Sequence, residues 1–393
     1  MQDNIKIQVN NLYKIFGKDP DKAYQHIKDG LSREQIMNKT WNIVWLRNVS
    51  FSIKEWDIFV IMWLSGSGKS TLLRCINRLH NPTYWEVIIN NEDITKISNN
   101  KLRQLRKEEF GMVFQSFALF SNRTVIENVV FGLEIKWVGK KERFKEWEKA
   151  LESVWLKGWE HKPISSLSGG MQQRVGLARA LATNPKILFM DEPFSALDPL
   201  IRVKMQEELL LLQKDMKKTI LFVTHDLNEA MRVGDKIWIM NSEWEMIQIW
   251  SPEQIIFEPV NDYVKEFIQD VDIPSVIRSE SLFEPTNNYI ESDVSIDYID
   301  SYFKNHGIDH VFVTTNWKYE WVVLKEDLEH SSNKSLKAQE VCRNIKWTFK
   351  LSPIKNILPV VIGYWIPAPV IDEEGNFEWE IPKESLTNIL QRI

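Results

Sequence analysis

A short apolar strand, Ile58–Met62, runs directly into Ser65-Gly66-Ser67-Gly68-Lys69-Ser70-Thr71, and an apolar helix over Thr71–Leu79 leaves it. This order of strand, glycine-rich loop and helix constrains the chain more than anything else in it. Backbone N–H groups of Gly66, Ser67, Gly68 and Lys69 can converge on phosphate oxygens, and the helix N-terminus adds a favourable field. Glycine permits that approach because no Cβ stands in the way. Lys69 is placed to reach outer phosphates, the Ser70 hydroxyl to ligate Mg²⁺, and Ser65 and Thr71 flank the cradle.

The acidic counterpart lies at the end of another apolar strand, Ile187–Met190, where Asp191 and Glu192 follow. Behind a phosphate loop, Asp191 is the residue to hold Mg²⁺ and Glu192 the residue to polarise an attacking water. Gln115, in Val113-Phe114-Gln115-Ser116, is a third candidate metal ligand. His225 ends the strand Thr219–Thr224 and can hydrogen-bond the outermost phosphate. The candidate catalytic residues are therefore Glu192, His225 and Lys69. His306 and His310 have helical spacing, but Gly307 intervenes and no third ligand is near, so no metal site is read there.

Around these motifs strands alternate with helices: helix Leu200–Met216, strand Thr219–Thr224, helix Leu227–Val233 and a hairpin over Lys236–Ile249. The alternation predicts an α/β core with a largely parallel sheet. Residues 20–40 read as helix, with Ser32 and Gln35 forming a capping box. Residues 101–160 are charged and predict a mostly helical segment. After 271–280 the character changes and a repeat emerges. Tyr319-Glu320-Trp321-Val322-Val323 and then Lys325-Glu326-Asp327-Leu328 are echoed by Phe377-Glu378-Trp379-Glu380-Ile381 and then Lys383-Glu384-Ser385-Leu386. Two copies of one small α/β unit are expected.

Bulk properties exclude several classes. A length of 393 residues suggests two or three domains. A net charge of −5 with both signs interspersed gives no nucleic-acid-coating surface, so no nucleic-acid partner is expected. The apolar runs are strand length, well short of the roughly 18 residues that span a bilayer. The N-terminus carries no basic-then-apolar secretion signal. Only Cys75 and Cys342 are present, which points to a reducing compartment, and Cys75 reads as a buried structural thiol.

The run Leu167-Ser168-Gly169-Gly170-Met171-Gln172-Gln173-Arg174, placed between the phosphate loop and Asp191-Glu192, resembles the signature of the ATP-binding-cassette family. The resemblance covers residues 4–270. It implies a phosphate-loop NTPase domain over 1–270, with a helical subdomain over about 116–180. It also implies ATP and Mg²⁺ as ligands, Phe16 stacking on adenine with Tyr13 as the second choice, and Asp198 beside the nucleotide. Ser168, Gly169, Gly170 and Gln172 would close over ATP held by the opposite subunit of a head-to-tail homodimer. The helical insert, the phrase Phe194–Arg202 and the C-terminal repeat are similar to the ATPase of glycine-betaine/proline-type osmoprotectant importers. That likeness implies a peripheral subunit on the cytoplasmic face of a membrane, working with permease subunits and, indirectly, a solute-binding protein. The region 271–393 would be an α+β tandem of CBS-like regulatory modules, with a regulatory nucleotide as a candidate ligand. Other readings are an importer ATPase for another solute, a soluble cassette, or an inactive regulatory cassette.

One count departs from this picture. The chain has 17 Trp and 15 Gly, whereas an average chain carries about 7% Gly. Trp63 stands where the family opens its phosphate loop with glycine, and Trp56, Trp85, Trp155, Trp244 and Trp250 also stand at usual glycine positions. Trp321 and Trp379 share one repeat position. The pattern fits a gene in which UGA encodes glycine, rendered with a code in which UGA is tryptophan; the alternative is a genuine Trp-rich variant or a degenerate, inactive cassette. Taken as written, Trp63 must hold its indole out of the phosphate cradle, and poor ATP turnover is expected until Trp63→Gly.

Overall fold

The structure is a computed structural model that describes residues 4–63, 69–240, 246–269, 271–329, 337–345, 347–349, 352–372 and 374–390. The chain divides into two compact units, Met1–Val271 and Asp272–Ile393.

The first unit opens with strand β1 (Ile5–Phe16), helices α1 (Pro20–Lys28) and α2 (Arg33–Thr40), and strand β2 (Ile43–Lys54). Ser32 caps α2 in a complete capping box with Gln35, as the sequence pattern predicts. Strand β3 (Ile58–Trp63) leads to helix α3 (Lys69–Ile76), followed by β4 (Tyr84–Ile89), β5 (Glu92–Asp93), α4 (Asn99–Glu109) and β6 (Phe110–Val113). Helices α5 (Val125–Val129), α6 (Phe131–Ile135), α7 (Lys140–Ser153) and α8 (Gly169–Ala182) form the helical segment. The unit is completed by β7 (Ile187–Asp191), α9 (Pro199–Met216), β8 (Thr219–Thr224), α10 (Leu227–Val233), β9 (Lys236–Met240), β10 (Met246–Trp250), α11 (Pro252–Phe257) and α12 (Asp262–Ile268).

Two sheets result. One is antiparallel, in the order β2-β1-β4-β5; the other runs β10-β9-β3-β8-β7-β6, parallel except for its edge strand β10. Strands β7 and β8 are buried at every position, which is why their sequences are continuous apolar runs rather than alternating ones. Ile7, Val9 and Leu12 of β1, Phe59 and Ile61 of β3, and Leu72, Cys75 and Ile76 of α3 share one core. Each large apolar side chain buried there contributes about 1.5–3 kcal/mol. Cys75 is a packing residue, and burial pushes its thiol up to about 12.

The sequence reading missed β6, a four-residue strand between charged α4 and the helical segment. Gly111 belongs there because a Cβ would meet the Leu188 side chain at 2.7 Å. Trp85 lies in β4 and Trp250 is the last residue of β10, and neither has a positive φ. Trp63 closes β3, paired with Met240. Residues 64–68 and 241–245, including Ser65, Gly66, Ser67, Gly68 and Trp244, lie outside the described residues, as do the side chains of Trp63 and Lys69.

The second unit begins with α13 (Ile273–Val276) and then β11 (Tyr289–Glu291), α14 (Ile296–His306), β12 (His310–Thr315), β13 (Lys318–Leu324) and α15 (Lys325–Glu329). There follow β14 (Thr348–Phe349), α16 (Leu358–Tyr364), β15 (Ala368–Ile371), β16 (Phe377–Ile381) and α17 (Lys383–Leu390). Its two three-stranded sheets, β11-β12-β13 and β14-β15-β16, each join a parallel pair to an antiparallel pair. Trp321 faces Val313 and Trp379 faces Val370, each beside a register irregularity. The two hairpin turns pair with each other: Tyr319 N–H donates to Gly375 O at 3.1 Å and Phe377 N–H to Trp317 O at 2.8 Å.

Candidate functional site

Parallel strands β3, β7 and β8 all end on one edge of their sheet, and the residues just beyond them meet there. Crevices outside the carboxyl ends of such strands are where α/β folds bind ligands. The Ser70 hydroxyl, at the start of α3, donates to Asp191 Oδ1 at 2.8 Å. Asp191 is buried at the end of β7. Thr71 follows in α3, half-buried.

Glu192 is the centre of the cluster. Gln115 Nε2 donates to its Oε2 at 2.9 Å, and His225 Nδ1 lies 3.2 Å from the same oxygen. The backbone of Glu192 is left-handed, with φ 45°. Its N–H donates to Val223 O at 2.9 Å, tying the turn to β8. Its carbonyl accepts the Ser195 hydroxyl at 3.0 Å. A non-glycine residue in this region costs about 1–2 kcal/mol, and such residues concentrate at functional sites.

Gln115 begins a second strained segment. Phe117 and Ala118 are both left-handed, with φ 61° and 49°, and Ala118 N–H donates to Ser116 O at 2.6 Å in a tight three-residue turn. Arg179 of α8 donates to both carbonyls, at 3.0 Å to Phe117 O and 2.6 Å to Ala118 O. Burial lowers the Arg179 pKa. Sequence reading missed this clamp, since nothing local links position 179 to the loop after Gln115.

The signature residues open α8. Ser168 is its N-cap, accepting from Met171 N–H at 3.3 Å, and Gly169 and Gly170 form its first turn. At Gly170 a Cβ would meet Ile201 Cγ2 at 2.7 Å, so a side chain there requires the Ile201 side chain to move. Gln172 turns back on its own chain, donating to Leu167 O at 3.1 Å and Ile164 O at 3.4 Å. Asp198 caps α9 through Ile201 N–H at 3.1 Å. Phe16 is partly exposed at the end of β1, edge-on to Trp45 at 5.9 Å with Lys14 Nζ 4.5 Å from its ring centre. Tyr13 instead packs edge-on against Tyr24 at 5.0 Å.

A hydroxyl, a buried carboxylate, a second carboxylate and an imidazole at the ends of strands flanking a phosphate-loop helix define the class: a nucleotide-hydrolysing cassette. Residues 46–195 match the family model for ABC transporters. Over 278 residues the chain is 50% identical to the glycine betaine/proline betaine transport system ATP-binding protein ProV of Escherichia coli, covering 71% of this chain and 69% of that protein. Over 389 residues it is 40% identical to the glycine betaine transport ATP-binding protein OpuAA of Bacillus subtilis, covering 98% of this chain and 92% of that one. A solved dimeric structure of the ATP-binding cassette MJ0796 in a post-hydrolysis state with ADP and phosphate is 34% identical with a TM-score of 0.52, covering 63% of this chain and 98% of that one. The chain belongs to the ATP-binding subunits of ABC transporters and is an ATPase. No helix among the described residues is long and apolar enough to cross a membrane.

Proposed function

We propose that this chain powers import of an osmoprotectant, such as glycine betaine or proline betaine, by hydrolysing ATP on the cytoplasmic face of a membrane. The observation that carries the reading is the match to a glycine betaine transport protein over 98% of this chain, second unit included. Permease subunits are its partners and, through them, a solute-binding protein; other subunits choose the solute.

Two copies associate head to tail with ATP between them. Ser168, Gly169 and Gly170 of one copy face the nucleotide held by the other, and Phe16 stacks on adenine. Lys69, with Ser65, Gly66, Ser67 and Gly68, holds the phosphates. Ser70, Asp191 and Gln115 offer a hydroxyl, a carboxylate and an amide carbonyl, the all-oxygen donor set that Mg²⁺ takes. They would hold the ion, which supplies charge neutralisation at the outer phosphates. Glu192 polarises the attacking water, its carboxylate oriented by Gln115 and His225. His225 then contacts the γ-phosphate. Residues 116–180 form the helical subdomain that meets the permease, and 271–393 form a CBS-like regulatory tandem with a nucleotide as candidate ligand. The paired hairpin turns and equal strand orders of the two sheets support the tandem.

The test is co-purification from membranes with a permease, followed by ATPase assay in proteoliposomes with glycine betaine, choline or an amino acid. Betaine-stimulated turnover supports the proposal. Stimulation by another solute alone reassigns the substrate, and a chain that never associates with a permease refutes it. Glu192→Gln should lower kcat by about 10²–10⁴-fold and hold an ATP-bound dimer in sedimentation.

A further inference from the structure

Helix α9 and the loop carrying His225 are tied together twice. Arg202 Nη1 donates to Asp226 Oδ2 at 2.9 Å. One turn further along α9, Gln206 Nε2 donates to Glu229 Oε1 at 3.2 Å. The other oxygen of Glu229 accepts the Thr224 hydroxyl, and that hydroxyl accepts Asp226 N–H at 3.0 Å. Thr224 and Asp226 are the residues on either side of His225. Gln206, Thr224 and Glu229 are 3%, 1% and 4% exposed, so this part of the network is shielded from water, while the Arg202–Asp226 pair is about a quarter exposed. Both oxygens of Glu229 accept a hydrogen bond, from Gln206 and from Thr224, and buried polar contacts satisfied in this way hold the groups they join rigidly.

We propose that Glu229 is a positioning residue for ATP hydrolysis, bracing the His225 loop against α9 so that Asp198, which caps that helix, and His225 move as one body. The proposal rests on the assignment of His225 to the γ-phosphate. The charged groups facing Glu229 are Asp226 from the start of its own helix and Arg202 from α9, while Gln206 and Thr224 supply neutral contacts. Burial raises the Glu229 pKa to about 7, so the brace is neutral in acid and gains a buried charge as pH rises.

The experiment compares kcat and KM of the full chain from pH 6 to 9 for wild type, Glu229→Ala, Glu229→Gln and His225→Ala. Glu229→Ala is expected to lower kcat at least tenfold with KM within about twofold. Wild-type kcat is expected to fall above pH 7, and Glu229→Gln should keep kcat within about threefold at pH 6 and lack that fall. Adding Glu229→Ala to His225→Ala should lower kcat no further. Additive effects, a wild-type kcat in Glu229→Ala, or an unchanged pH profile in Glu229→Gln would overturn the brace. A His225→Ala chain with full activity would instead sink the assignment of His225.

A separate observation carries a second inference. Among the described residues, Trp41, Trp56, Trp137, Trp155, Trp317 and Trp365 have φ of 56°, 72°, 60°, 55°, 69° and 56°. All are exposed, from 51% to 90%. Each occupies a position that glycine dominates. Trp137 and Trp155 follow helix ends where the next N–H reaches back to the last turn, Val138 to Leu133 O at 3.1 Å and Leu156 to Leu151 O at 2.8 Å. Trp41 and Trp365 are left-handed helix caps. Trp56 is the third residue of the turn Lys54–Asp57, and Asn316-Trp317 is a two-residue hairpin loop of the kind that prefers Asn-Gly.

The two repeats supply the control. Gly307, at φ 67°, caps α14 where Trp365 caps α16, and Gly375, at φ 87°, takes the turn position that Trp317 takes in the other hairpin. We infer that these six positions are glycine in the polypeptide the cell makes, encoded by UGA. Peptide mass spectrometry of the native protein, with its coding DNA, decides the matter. Glycine masses and UGA codons at the six positions are expected; tryptophan masses or UGG codons there overturn the inference.

Discussion

The Ser70 hydroxyl and Asp191 Oδ1 lie 2.8 Å apart across 121 residues of sequence. That bond joins the start of α3 to the end of β7 and, on the proposed assignment, sets two Mg²⁺ donors side by side. Removing one donor should weaken the ion more than the nucleotide. Ser70→Ala is expected to raise the Mg²⁺ concentration for half-maximal ATPase by about tenfold, or about 1.4 kcal/mol. A Mg²⁺ titration of turnover, with ATP affinity measured separately, checks it.

Gly170 meets a different constraint. Its Cβ position lies 2.7 Å from Ile201 Cγ2, so Gly170→Ala must displace the Ile201 side chain or push α8 and α9 apart. Overpacking of this kind costs about 1–3 kcal/mol. Ile201 is partly exposed, and Ile201→Ala in the same chain should restore the lost melting temperature and activity. A Gly170→Ala chain as stable as wild type would show that α9 yields freely.

Arg179 holds two carbonyls in a strained turn. Arg179→Ala leaves both without their donor, at a cost of about 1–3 kcal/mol. The expected result is faster limited proteolysis in the loop after Gln115 and a lower kcat, because Gln115 loses its fixed reach to Glu192. Arg179→Lys, which cannot serve both carbonyls in the same fork, should recover part of the rate.

His310, in the second unit, is buried between Asp309 and Glu380, with Nδ1 2.9 Å from one carboxylate and Nε2 3.4 Å from the other; Lys383 lies 3.5 Å from Asp309. Burial opposes its charge, but bonds to Glu380 and Asp309 outweigh burial and raise its pKa. The folded value exceeds the unfolded one, so the stabilisation is full below the ordinary histidine range and fades as pH rises through the folded value. Calorimetry of the full chain should show the second unit melting earlier at pH 8.5 than at pH 6, and His310→Gln should remove that difference.

Glu229 follows the same rule with an acid. Its pKa rises from 4.5 to about 7, so stability is full below pH 4.5 and declines between there and about 7. The change is on the order of 3 kcal/mol. Glu229→Gln should flatten the first unit's melting temperature over that interval.

Local pattern carried much of this. The strand β3, the helix that carries Ser70, the acidic pair at the end of β7 and the Ser32–Gln35 cap are short local patterns that can be read without distant neighbours. β6 escaped because Phe110–Val113 is too short to show a period and contains Gly111, whose reason lies across the sheet at Leu188. Trp41, Trp137, Trp317 and Trp365 escaped because a left-handed backbone is a property of the turn and leaves no mark on the residue name. The ties from α9 to Asp226 and Glu229 depend on how two helices pack, which no window of sequence contains.

The crossed hairpins of the second unit have one more consequence. Each turn's backbone completes the other's ladder through Tyr319, Gly375, Phe377 and Trp317. Deleting either half would leave an N–H and a C=O of the other turn without these partners. Truncations that stop between the halves should therefore aggregate more readily than the full chain.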